Sequence, residues 1–176
     1  MTSFIEHMST YAKYHRDPRN ILTHIFGVPI IVFSVIVLLS RPTLFVVEGF
    51  AITPAVIGFV LSMAFYLRLN LVFGLIMAVL MGAGLYFAAT IAQLSLTTWL
   101  ASGIALFVGG WIIQFVGHHY EGKKPAFVDD LVGLLIGPLF VTAELLFFIG
   151  MFSELKADIE SRAGIVKKQT PKPVNA

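Results

Sequence analysis

The residues of this chain best suited to chemistry are its five histidines, His7, His15, His24, His118 and His119. Imidazole is the commonest neutral metal ligand, and a ligating ring uses its second nitrogen to hydrogen-bond a partner. Candidate partners stand close by. Tyr11 precedes His15 by four residues and Asn20 precedes His24 by four, a spacing that shares one face wherever the chain is helical. Pro18 makes helical continuity between the two pairs doubtful. Glu121, Asp129 and Asp130 follow the histidine pair, and Glu144 lies in an apolar stretch, where an acid is costly and commonly functional. With no cysteine, the chain has no thiolate site, disulfide or cysteine nucleophile. Imidazole with carboxylate suits iron, zinc, copper or nickel, and iron with open positions would support oxygen chemistry. One histidine at a membrane interface is ordinarily a polar residue and nothing more. The grouping of several with acids is what points to a metal site.

The elements that must position these residues are apolar. Of 176 residues 57% are hydrophobic and 12% charged, with mean hydropathy +0.87. A water-facing domain carries about twice that charged fraction, so lipid is the expected outer solvent. The net charge of +2 is too small to suggest nucleic acid. The first 24 residues are polar and hold no cleavable signal. A bilayer core needs about 20 apolar residues per helix. Four segments meet this, at about Ile21–Leu39, Phe45–Leu67, Leu71–Leu94 and Thr98–Gly117. The Gly82-Ala83-Gly84 run suggests close packing of the third. A fifth stretch, Leu131 to Phe152, contains Gly137-Pro138 and is expected either as a kinked span or as two half-helices that return to the same side.

The expected architecture is therefore an all-α membrane bundle of four transmembrane helices plus a broken or re-entrant fifth segment. Residues 1–155 form one integral domain, and residues 156–176 a basic, partly flexible tail. This topology carries His7, His15 and His24 to the same face as His118 and His119, across two hairpins. If the fifth stretch re-enters, all Lys and Arg except Arg41 share that face, which the positive-inside rule makes cytoplasmic. Both termini and the metal site are then cytoplasmic, as in a bacterial inner-membrane protein.

At the same residues the chain resembles a known family. The run Tyr14-His15-Arg16-Asp17-Pro18-Arg19-Asn20 with His24, Gly27 and Pro29 is similar to its N-terminal signature. Gln114-Phe115-Val116-Gly117-His118, followed by Glu121-Gly122-Lys123-Lys124-Pro125-Ala126, resembles the second, and Gly137-Pro138-Leu139-Phe140-Val141 ending at Glu144 the third. The family is that of the fungal endoplasmic-reticulum 2-hydroxy-fatty-acid dioxygenase, and the similarity runs from about residue 4 to 155. It implies an Fe(II)-dependent α-oxidation that uses O2 to shorten 2-hydroxy fatty acids by one carbon, in the fungal case during phytosphingosine breakdown. It implies His15, His24 and His118 as iron ligands. His119 adjoins the motif as a fourth candidate, and His7 lies outside it. Glu121 or Glu144 is expected to complete or orient the ligand set, and Arg19, Asn20, Lys123 and Lys124 to hold the substrate.

Three alternatives bear on this reading. Di-iron membrane hydroxylases need more histidines, in HxxxH and HxxHH boxes, and neither spacing occurs here. A haem held by His24 and His118 would show a Soret band. A non-catalytic metal-binding protein or transporter would place ionisable groups near mid-membrane, where Glu144 beside the Gly-Pro break is the single candidate.

Overall fold

The computed structural model describes residues 3–123, 125 and 131–167. These form seven helices and one small hairpin: α1 (Phe4–Ala12), α2 (Pro18–Ser40), β1 (Phe45–Val47), β2 (Phe50–Ile52), α3 (Pro54–Leu69), α4 (Leu71–Ala92), α5 (Leu96–Glu121), α6 (Gly133–Phe148) and α7 (Ser153–Ala163). The described residues are all-α apart from that hairpin. Three helices, α2, α4 and α5, are long and apolar enough to cross a membrane.

Local sequence explains the helix starts. Ser3 and Glu6 form a reciprocal capping box on α1. Asp17 caps α2 through the Arg19 amide, with Pro18 at the first helical position. Pro18 thus separates α1 from α2, leaving His15 in the turn between them. Asn70 ends α3 in extended backbone and caps α4 through the Phe73 amide, so these two helices fold back tightly.

The expected second span, Phe45–Leu67, is corrected by the structure. Glu48 and Gly49 both have positive φ, closing a two-residue turn between β1 and β2. Thr53-Pro54 then starts the helix afresh, leaving 16 residues in α3. At about 1.5 Å per residue that is roughly 24 Å, short of a bilayer core of about 30 Å. The fourth expected span runs longer than predicted, so α5 carries His118 and His119 within its last turn.

The fifth stretch is one continuous helix, not two half-helices. Proline removes one donor, and α6 passes through Pro138, whose carbonyl accepts from the Thr142 hydroxyl at 2.8 Å. Gly133 and Gly137 line a cavity with His24 and His118, while Phe152, just beyond the helix, packs its ring on Phe73 in the first turn of α4. The start of α6 therefore lies at the histidine end, and the segment after α6 meets the start of α4. The expected boundary at residues 155/156 falls inside α7, which buries Ile159 and packs on α1. Residues 168–176 of the expected tail lie outside the described residues.

The pair α2–α5 is the most extensive helix contact. Gly103, Gly110 and Gly117 recur every seven residues along α5. A Cβ at Gly103 would strike Leu38, one at Gly110 would lie 2.6 Å from Ile31, and one at Gly117 would overlap Thr23 and Asn20. Glycine at these positions lets the two backbones meet closely. On α4, a Cβ at Gly82 would approach only Phe59, at 3.9 Å, and one at Gly84 would lie 3.5 Å from Ile36, so the tight contact with α2 is made by α5. A Cβ at Gly74 would lie 2.8 Å from the Leu67 backbone, where α3 folds back into α4.

Candidate metal centre

The glycine seam ends where the chemistry begins. Gly117 seats against Asn20 and Thr23, and its neighbour His118 is thereby brought beside His24. The turn after α1 delivers His15 to the same point. One ring nitrogen from each of His15, His24 and His118 lies within 4.8 Å of the others, and all three residues are buried. Among the described residues these three histidines are the only group of possible ligands gathered in this way.

Hydrogen bonding sets the tautomers of two of them. His15 Nδ1 faces the Tyr11 carbonyl at 2.8 Å, and His24 Nδ1 faces the Asn20 carbonyl at 2.8 Å. A carbonyl only accepts, so each Nδ1 carries the proton and each neutral ring keeps its lone pair on Nε2. The two Nε2 atoms stand 2.9 Å apart. Two lone pairs at that distance repel unless a cation lies between them. Two metal–nitrogen bonds of about 2.1 Å meeting near a right angle span about 3.0 Å, so the spacing fits a shared ion. Neutral imidazole is the form a metal needs. Burial holds the His15 ring well below the ordinary imidazole range, and nearby His24 pushes the same way. His15 also stacks on Tyr11, with ring centroids 4.3 Å apart. His118 Nδ1 is buried without a well-formed hydrogen bond among the described residues, though the Lys123 backbone lies near it.

Of the two roles expected for Glu121, completing or orienting the ligand set, its contacts correspond to the second. One carboxylate oxygen accepts from the backbone amides of Arg16 at 2.8 Å and Asp17 at 2.7 Å and from the Asn20 amide at 3.2 Å. The other accepts from Lys167 at 3.3 Å. Glu121 therefore ties the turn carrying His15 to the end of α5 carrying His118. It positions ligands and does not join them. Asn20 donates to Tyr14 and Glu121, while its Oδ1 is buried without a partner.

The remaining candidates among the described residues are not part of that histidine group. His119 is exposed, because the next residue on a helix turns by about 100°, and its ring lies against Tyr120. Glu144 is half-buried on α6. Arg19 is held by both Asp17 oxygens and lies over the Tyr120 ring. Lys123 is exposed and donates to the Lys13 carbonyl. His7 sits beside Phe65. Lys124, Asp129 and Asp130 lie outside the described residues.

Two residues have more to do than their sequence positions suggest. Buried Arg16 donates to the carbonyls of Ala12, His15 and Gly164, locking α1, the His15 turn and the end of α7 together. Gln114, one turn before His118, is 5% exposed, and its Oε1 has no partner. It lines a cavity of about 60 Å³ with Tyr11, His24, Trp111, His118 and Pro138, room for a few waters or a small polar head group. The spacing of four between Gln114 and His118 is the signal in the sequence that could have found it.

With this geometry in view, comparison with known proteins is decisive. The family model described as "2-hydroxy-palmitic acid dioxygenase Mpo1-like" matches residues 1–149. The chain belongs to the Mpo1-like family. Its relatives include the Saccharomyces cerevisiae protein named 2-hydroxy-palmitic acid dioxygenase MPO1, 38% identical over 152 residues, which cover 85% of this chain and 83% of that protein. No solved structure matches the chain. Membership in the Mpo1-like family supports a dioxygenase of fatty-acid α-oxidation at family level.

Proposed function

We propose that this chain is an integral membrane, Fe(II)-dependent dioxygenase that uses O2 to convert 2-hydroxy fatty acids into acids one carbon shorter. The observation that carries the metal assignment is the pair of opposed Nε2 atoms of His15 and His24 beside His118. Three neutral nitrogen donors with no thiolate suit iron, copper, zinc or nickel and leave positions open for other ligands, and the likeness to a dioxygenase family favours iron.

His15, His24 and His118 would hold the ion, which would supply a redox centre where O2 and substrate can meet. The carbonyls of Tyr11 and Asn20 keep Nδ1 protonated and Nε2 free on two ligands. Glu121 and Arg16 hold the His15 turn in register with α5. Gln114 lines the cavity shared with His24 and His118, where its unpartnered Oε1 is placed to accept from the hydroxyl of the substrate. Tyr11, Trp111 and Pro138 wall that cavity and limit water.

In the membrane, α2, α3, α4 and α5 cross in turn, α3 as the shortest span, so four crossings return His118 to the face of His24. We place α6 within the bundle without a crossing, so that both termini share the histidine face, at the cytoplasmic side of a bacterial inner membrane. A single cysteine introduced after α7 should be shielded from an impermeant thiol reagent in intact cells, and labelling there would reverse the assignment.

The activity test is oxygen uptake and product analysis on 2-hydroxypalmitate with purified, iron-loaded protein. Consumption of O2 with appearance of the acid one carbon shorter is expected. Stoichiometric iron with no turnover of any 2-hydroxy acid would favour a non-catalytic metal-binding protein.

A further inference from the structure

We infer that the acyl chain of the substrate lies in one apolar groove between α2, α3 and α5, and that the open space at Gly58 sets the longest chain accepted. This rests on the reading of the chain as a 2-hydroxy-acid enzyme. Next to the histidine cavity lies a groove of about 410 Å³. Ile31, Val32, Trp111, Leu134 and Pro138 wall both spaces, so groove and cavity adjoin along five residues. A ligand filling both has all its polarity at one end. A 2-hydroxy acid is such a molecule, with its oxygens on C1 and C2 and hydrocarbon beyond.

The groove offers little to a polar tail. Ser62 and Tyr66 are its hydroxyl-bearing walls, and the Tyr66 hydroxyl already donates to the Leu135 carbonyl at 2.9 Å. Along α2 the lining runs from Ile31 to Leu39, about 12 Å at roughly 1.5 Å per residue. The α3 wall is formed by Ala55, Gly58, Phe59, Ser62 and Tyr66, spaced as one helix face. Gly58 is the open point of that face, since a Cβ built there meets nothing within 4 Å. A tail arriving from lipid gains little by exchanging one apolar surrounding for another. Selectivity should therefore appear as a steric cut-off at Gly58 instead of a steady gain per methylene.

A second groove, of about 320 Å³, flanks α2 on its α4 side and includes Gly84. It shares Val28, Val32 and Pro138 with the histidine cavity but neither Trp111 nor Leu134. Gly84 supplies the internal control, because a Cβ there makes ordinary contact with Ile36 at 3.5 Å.

The test measures kcat/KM on 2-hydroxy acids of increasing length for the wild type, Gly58→Phe and Gly84→Phe, with iron content as the check on the site. Gly58→Phe should lose at least about tenfold on the longest acids relative to short ones, with iron unchanged, while Gly84→Phe keeps the wild-type profile. A length shift in Gly84→Phe alone, or in neither folded variant, overturns the assignment. An independent arm uses the wild type and a 2-hydroxy acid carrying a terminal diazirine. Labelling of α3 between Ala55 and Ser62, competed by unlabelled 2-hydroxypalmitate, supports the groove even where turnover is absent, in which case only the reaction assignment falls. Labelling between Leu80 and Gly84, or labelling that does not compete, removes the groove.

Discussion

The two ends of the α2–α5 pair use polar side chains in opposite ways. At the far end, Trp99 donates its indole N–H to the Val37 carbonyl at 2.7 Å, and Arg41 donates to the carbonyls of Leu94 and Ala92. These groups satisfy backbone oxygens near helix ends, as structure requires. At the near end the accounts do not close. Asn20 Oδ1 and Gln114 Oε1 are buried without partners among the described residues, and two histidine lone pairs oppose each other at 2.9 Å. Unpaired buried groups cost about 1–3 kcal/mol each, and a fold retains them where something else is to be bound. The contrast separates the end that holds the helices together from the end that acts.

That contrast can be broken in graded steps. The largest effect is expected from Gly117→Val, which drives a branched side chain into Thr23 and Asn20. It should cost about 1–3 kcal/mol in thermal stability and also displace His118, so that iron is lost together with melting temperature. Glu121→Gln keeps the shape but weakens the grip on the Arg16 and Asp17 amides. Iron affinity by competitive chelation should fall about 10–100-fold, with the helical circular dichroism unchanged. Trp99→Phe at the far end removes one hydrogen bond, costing about 1 kcal/mol by denaturation and leaving iron content as in the wild type. His119→Ala should change neither quantity, since that ring is exposed; iron loss here would mean that the last turn of α5 presents its other face.

The same comparison explains what was legible beforehand. Apolar runs pointed to an all-α apolar bundle, because that signal is local and needs no partner. Counting hairpins placed His15, His24 and His118 at one end. The choice between His118 and His119 depends on which face of α5 meets α2, and the glycines every seven residues at 103, 110 and 117 carry that information. Reading Gly82 and Gly84 as the packing signal missed it, since proximity of two glycines says less than their period along a helix. The β1–β2 hairpin was also encoded, in Glu48-Gly49 and Thr53-Pro54, but its apolar strands blend into the following helix when hydropathy alone is read. Glu121 could not be placed from local signals. Its partners Arg16 and Asp17 are more than 100 residues away, and their backbone amides leave no trace in side-chain type.

The central claim is that three histidines from two distant segments hold one iron. Its most direct test is iron analysis of the purified protein beside His15→Ala, His24→Ala and His118→Ala, with folding checked by circular dichroism. The account predicts about one iron per wild-type chain and its loss in each folded variant. Full iron retained in all three would contradict it.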